Sequence, residues 1–301
     1  MSSTRGSAEG LVLGVVLDAF LGDPRRWHPV AGFGRAASAV ERRVYGDSRW
    51  RGAVYAGVLV GAAGAAGVVV ERASRRLGVH ALATAGVTWA VLGGTSLGRE
   101  GLVMARLLER EDLDAARERL SHLCARDPRG LDARGLSRAV VESVAENTSD
   151  ASVAPLVWGA VAGIPGLLMY RAVNTLDAMV GYRSPRYERF GWAAARLDDV
   201  ANWVPARVTG GLVVLCGGSE AWRVLRRDGK EHPSPNAGRV EAAFAGALGV
   251  RLGGVNAYGG RVERRPEMGD GRAPEVKDIR RAVRLSAAVT FAAAAVIGVL
   301  R

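Results

Sequence analysis

Four long stretches of this chain carry no charged side chain, and their length is the strongest constraint on what it can fold into. Ala53–Val70 is uncharged between Arg51 and Glu71, and Leu77–Gly98 between Arg76 and Arg99, with His80 its only titratable group. Ala151–Tyr170 lies between Asp150 and Arg171, and Leu285–Leu300 precedes Arg301. About 20 apolar residues cross a hydrocarbon core; the second and third runs reach that length and the last is marginal. Leu11–Leu21 is a fifth run, interrupted by Asp18. The competing reading is a set of buried helices in a soluble all-α protein. Against it, the first two runs are separated by six residues, three of them Arg, as in a transmembrane hairpin. Gly57–Gly61 and Gly94–Gly98 have the GxxxG spacing expected to let helix backbones approach closely. Composition agrees: 49% hydrophobic but only 6% aromatic, with 40 glycines and a mean hydropathy of +0.07.

The expected architecture is an all-α polytopic integral membrane protein, one catalytic domain over residues 1–301, with roughly four to six membrane-embedded helices. These fall at about 10–21, 53–70, 77–98, 151–170, 208–219 and 285–300. Glu100–Arg138 is rich in charge with apolar residues at helical spacing (Leu102, Ala105, Leu108, then Leu113, Ala116, Leu120), so one or two soluble amphipathic helices are expected there. Asp127-Pro128-Arg129-Gly130 is a turn. Pro155 and Gly163-Ile164-Pro165-Gly166 argue against a straight helix over 151–170, and Val208–Ser219 is too short to span. Both are expected to dip into the protein without crossing, which keeps the polar loops together on the cytoplasmic side. Such broken backbone is tolerated at membrane depth only where protein buries it or water reaches it. The basic surplus of Gly22–Gly52 and Glu220–Arg284 agrees with the positive-inside rule.

Net charge is +11, from 41 basic and 30 acidic residues, which suits nucleic acid, an anionic membrane surface or a phosphate-bearing ligand alike. Cys124 and Cys216 lie far apart without neighbouring His at ligand spacing, so neither zinc nor a disulfide framework is expected. No GxxxxGK-S/T and no GxSxG occurs, which removes a P-loop and a nucleophile elbow.

The densest polar stretch is 142–150. Glu142, Glu146 and Asp150 are four apart, so on a helix the three carboxylates share a face and repel. A divalent cation would relieve them, since Mg²⁺ takes oxygen ligands and leaves room for substrate phosphates; a solvated acidic face is the bland alternative. Asn174 and Asp177, three apart, are a second oxygen pair. Arg183, Arg186 and Arg189 follow, then Arg196, Asp198, Asp199 and Arg207, arginines suited to gripping phosphate or carboxylate or to salt bridges fixing helices at the surface. Asp23 and His28 share a turn after the first apolar run. Ser234 and Asn236 precede Glu241, and Asn236 is placed to cap a helix over Ala242–Leu248 whose N–H groups can receive an anion.

These stretches together resemble the CobD/CbiB family of cobalamin-biosynthesis proteins: LDAFLGDP and HPV within 17–30, ESVAENTSDASVAPL at 142–156, AVNTLDAMVGYRSPRYERFGWAAARLDDVANWVPARVT at 172–209 and SPNAGRVEAAFAGALGVRLGG at 234–254. Ala151 stands where the family usually has Gly, and Arg239 where it commonly has an aromatic or polar residue. The resemblance implies an ATP-dependent amide-forming ligase of the cytoplasmic membrane, joining aminopropanol or its phosphate to a propionate of adenosylcobyric acid. Its expected partners are those substrates and the lipid bilayer, not nucleic acid; a homo-oligomer is left open.

In that reaction a carboxylate oxygen must become a leaving group, which ATP provides, while Mg²⁺ and arginines offset phosphate charge. The expected metal ligands are Glu142, Glu146, Asp150 and Asp177. Arg171, Arg183, Arg196, Asp23, His28, Ser234, Asn236 and Glu241 are expected to bind substrate or phosphate. Asp198 or Asp199 is the expected base for the amine; Asn174 and Arg207 complete the expected catalytic set, Arg207 on phosphate or carboxylate. The rival readings are a transporter, which would show inverted repeats, and a non-catalytic sensor-like relative. A prenyltransferase would need two aspartate-rich motifs, and a CDP-alcohol phosphotransferase DGxxAR.

Overall fold

The computed structural model describes residues 2–23, 28–182, 184–258 and 261–300. The chain is 77% helical. In order, the helices are α1 (Ser2–Leu21), α2 (Pro29–Val44), α3 (Arg49–Arg76), α4 (His80–Val91), α5 (Gly94–Glu109), α6 (Leu113–Leu120) and α7 (Ala133–Thr148). A π-turn, Ser149–Val153, leads into α8 (Ala154–Leu176), and a second, Asp177–Gly181, ends it. Then come α9 (Trp192–Ala201), α10 (Trp203–Gly217), α11 (Ser219–Asp228), α12 (Ala237–Leu248), an antiparallel hairpin of β1 (Leu252–Tyr258) and β2 (Arg261–Met268), and α13 (Val276–Leu300). Among the described residues, four helical runs are long and apolar enough to cross a membrane, or up to five if the bent pair α9–α10 is one span. Only 33% of the apolar window of Arg49–Arg76 and 28% of that of Val276–Leu300 is buried in protein. Val58, Val69, Leu82, Val161 and Phe291 face outward, a pattern that lipid accommodates and water does not.

Two compact units result. The first comprises Met1–Gly93, Ala154–Asn202 and Ala293–Arg301, the second Gly94–Val153 and Trp203–Ala292. The run expected as one span over Leu77–Gly98 falls largely within the candidate span His80–Glu109, which carries a two-residue break at Leu92-Gly93 between α4 and α5.

In the first unit small residues let helices touch backbone to backbone, as packing in lipid requires. A Cβ at Gly14 would lie 2.4 Å from Thr88 Cβ of α4, and one at Gly67 of α3 2.6 Å from Pro165 Cα of α8. Gly57 and Gly61, one of the two pairs with GxxxG spacing, instead face open space. The expected break in 151–170 falls at Gly163, whose φ of 64° and ψ of −150° only glycine adopts readily. It frees the Ile164 N–H, which donates to Glu71 Oε2 at 3.0 Å. A carboxylate thus satisfies a donor that lipid would leave stranded.

The second unit encloses α12, whose Ala242–Gly246 stretch is buried. At its C-terminus Gly249 takes the left-handed conformation and leads to the hairpin, an addition to the all-α expectation. The hairpin starts with a register shift between Leu252 and Gly254, and Gly253 has φ +87°. A Cβ there would sit 2.1 Å from the Pro266 carbonyl oxygen.

Candidate functional site

The second unit gathers three carboxylates, two of them on α7. The regular α-helical step carries Glu142 and Glu146 to one face, whereas Asp150 falls in the π-turn. Glu142 is 5% exposed. It accepts a hydrogen bond from Arg126 Nη2 and one from the Gly253 N–H at 2.7 Å, with Arg138 Nε 3.9 Å away. Its charge is therefore met by protein cations and a backbone donor, not left for a metal.

Glu241, on α12, is 2% exposed. Burial first, then the Glu142 and Glu146 carboxylates, push its carboxyl well above the ordinary range, against the pull of Arg265 and Arg126. It therefore favours its proton-carrying form. Glu146 itself is solvent-accessible, and the charges acting on it are those of Arg265, Glu142 and Arg126. Among the described residues neither Glu146 nor Glu241 makes a salt bridge.

His232, 8% exposed, lies within electrostatic reach of Arg265 and Glu142. Its Nδ1 accepts the Ser234 N–H at 3.0 Å, which fixes the tautomer with the proton on Nε2. That Nε2 is buried and has no partner among the described residues. Burial, then Arg265, hold the imidazole below its usual range, so it is a neutral N–H donor. Ser234 Oγ accepts the Asn236 and Ala237 N–H groups at 3.3 and 3.1 Å, so Ser234 caps α12. The expected cap, Asn236, makes no side-chain cap; its Oδ1 instead accepts from Arg207 Nη1 at 3.4 Å. Arg207 stacks over the Trp203 ring, 4.0 Å from its centroid.

The remaining expected residues lie in the first unit, and short-range bonds engage them. Asp198 Oδ2 accepts from Asn202 Nδ2 at 3.0 Å, and Asn202 Oδ1 from the buried Tyr170 hydroxyl at 2.8 Å. Asp199 pairs with Arg196 at 3.2 Å, and Asn174 Oδ1 accepts from Arg171 at 3.4 Å. Asp177 folds over its own π-turn, where a Cβ on Gly181 would meet Asp177 Oδ1 at 1.9 Å. His28 Nδ1 accepts the Val30 N–H at 3.2 Å and so caps α2, with Asp23 3.9 Å from Nε2. Arg183 lies outside the described residues.

Within the second unit, Glu142, Glu146 and Asp150, three of the four expected metal ligands, do not form a metal-binding group. Among the described residues no group of three or more His, Cys, Asp or Glu side chains is placed to hold a metal ion. The arginines around Glu142 do the neutralising that a cation was expected to do, and the π-turn ends the four-residue step before Asp150.

A family model described as CobD/Cbib protein matches residues 11–286, nearly the whole chain. The chain belongs to the CobD/CbiB family. Curated relatives carry the name cobalamin biosynthesis protein CobD. The one from Mycobacterium tuberculosis is 57% identical over 99% of this chain and 97% of its own length. Those from Chromobacterium violaceum and Rhizobium meliloti are 42% and 43% identical, over 98% and 95% of this chain and 99% and 95% of their own. No solved structure matches. This member of the CobD/CbiB family is thus a cobalamin-biosynthesis protein with helices suited to a lipid bilayer.

Three residues of the carboxylate cluster escape a reading of the sequence. Arg126 and Arg265 sit in a loop and a hairpin strand, outside the quoted motifs, and meet α7 only through tertiary folding. His232 does carry a signal: it opens His-Pro-Ser-Pro-Asn, a turn in which side chains accept the loop's own N–H groups.

Proposed function

We propose that this CobD/CbiB-family protein is the amide-forming ligase of its pathway. It would join a propionate of adenosylcobyric acid to the amine of aminopropanol or aminopropanol phosphate with ATP, as a multi-pass protein of the cell membrane with a cytoplasmic active face. The observation that carries the reading is the cluster of Glu142, Glu146, Glu241, Arg126, Arg265 and His232 in one unit. It holds cations for oxyanions, a neutral N–H donor without a partner, and one accessible carboxylate.

ATP, when bound, supplies the group that turns a carboxylate oxygen into a leaving group. The chain's own residues do the rest. The Arg265 guanidinium and the His232 Nε2–H stabilise negative charge on the reacting carboxyl oxygen. Glu146 takes the proton that the amine nitrogen loses as it attacks the activated carboxyl carbon. It displaces Asp198 and Asp199 in that role, because those two already answer to Asn202 and Arg196. With no carboxylate cage among the described residues, Mg²⁺ would be held mainly by the nucleotide's phosphates and water.

The test is complementation of a strain that makes adenosylcobyric acid but cannot extend it. Wild type should restore growth and Glu146→Ala should not. Equal rescue by a membrane-inserted Glu146→Ala would rule the assignment out.

A further inference from the structure

A second basic site lies in the second unit, apart from the residues assigned above. It is a cleft of about 250 Å³ at the first turns of α7, walled by Arg134, Arg138, Arg251, Gly253, Glu267 and Pro274. Three arginines face it against a single glutamate. Arg251 lies 3.4 Å from Glu267, and Arg134 is exposed on the first turn of α7. Arg138 is fixed as one wall: Nη1 donates to the Gly253 carbonyl, and Nη2 to that of Val255 at 2.7 Å. Glycine is favoured at 254 because its φ is +87°, and a Cβ there would lie 2.8 Å from Arg138 Nη1. The wall is thus built from a long-range pairing and two left-handed glycines, Gly253 and Gly254.

Size and place restrict what enters. The volume is below the roughly 300–1,000 Å³ of pockets for drug-sized ligands, so neither a corrinoid nor a whole nucleotide fits. The surplus of arginine forks selects an oxyanion with more than one negative charge. Pro274 stands just before α13, whose first nine residues include Lys277, Arg280, Arg281 and Arg284, and whose uncharged run begins at Leu285. At 1.5 Å per residue the base of α13 is roughly 14 Å outside that run, beyond reach of a headgroup at its end. A water-borne ligand is favoured over a lipid.

We propose that this cleft is a binding site for a small phosphate-bearing anion, inorganic phosphate or a short phosphate monoester. Because Gly253 and Arg138 also contact Glu142, an occupant would steady the backbone that holds the carboxylate cluster. The proposal does not depend on the ligase reading.

The experiment titrates inorganic phosphate into the detergent-solubilised full chain at constant ionic strength, reading binding by calorimetry and by thermal shift. A parallel arm uses nanodiscs with and without phosphatidylglycerol. Wild type should bind phosphate saturably in both disc types. Arg134→Gln and Arg251→Gln should each weaken binding about tenfold, the double variant about 100-fold, and Arg207→Gln should change it less than twofold. Glu267→Gln, which removes the competing carboxylate, should tighten it several-fold, and this arm stands if the arginine variants fail to fold. Phosphate affinity unchanged by these substitutions, or stabilisation by phosphatidylglycerol with phosphate inert, would overturn the proposal.

Discussion

Both units place acids beside arginines, but they treat them differently. In the first, the acids and amides expected to be functional are matched locally: Asp199 by Arg196 three residues away, Asp198 by Asn202 four residues away, Asn174 by Arg171. In the second, partners come from far along the chain, Glu142 from Arg126 and Gly253, and Glu146 and Glu241 are left crowded by like charge. Local matching is what a surface needs in order to stay folded. Crowding without matching costs stability, and chains keep it where a ligand or a proton makes use of it.

Stability should separate the units most widely. Arg126→Gln leaves the buried Glu142 with only the Gly253 N–H and the more distant Arg138, at a cost of about 3 kcal/mol, the low end for a broken buried pair. Arg196→Gln removes a pair whose arginine is 63% exposed and should cost ~0–1 kcal/mol. Denaturation in detergent compares them, and equal losses would erase the distinction. Next comes His232→Phe, which removes the unpartnered N–H and should lower kcat by about 10²–10³-fold if it stabilises an oxyanion. His28→Phe, at a helix cap of the first unit, should alter stability and leave kcat nearly intact.

Packing offers a sharper control within one helix. Gly67→Leu in α3 drives a side chain into the backbone of α8 and should destabilise by about 1–3 kcal/mol, whereas Gly57→Leu faces open space and should be silent. The smallest effect concerns pH. A carboxyl whose value is raised by folding holds its proton where the unfolded chain has lost it, so stability falls as pH rises past the ordinary carboxylate range. Glu241→Gln should flatten that decline without lowering the melting temperature at neutral pH. A steeper decline would contradict the placement of Glu241.

How far the sequence could be read follows from the same contrast. Uncharged length announces α3, α8 and α13, and Gly163 with Pro165 announces the break in α8, because both are local properties. The turn at Asp127–Gly130 is equally local: the Arg129 N–H donates to Asp127. The division into units was not legible, since each is assembled from separated stretches. Nor was the hairpin, whose first strand opens on Leu252-Gly253-Gly254 and whose second lacks clean alternation. GxxxG spacing misled at Gly57 and Gly61, because spacing does not say which face of α3 meets α8. The metal reading meets a related limit: four-residue spacing shows the carboxylates together but not the arginines that fold onto Glu142.

The central claim is that the chemistry belongs to the carboxylate cluster of the second unit. Purified protein in proteoliposomes, given adenosylcobyric acid, aminopropanol phosphate and ATP, reports it through product formed per minute. Glu146→Gln should lose about 10²–10⁴-fold in kcat, while Asp199→Asn stays within about threefold of wild type, the scale expected for breaking an exposed ion pair. A folded Glu146→Gln protein that turns over normally while Asp199→Asn is dead would contradict the account.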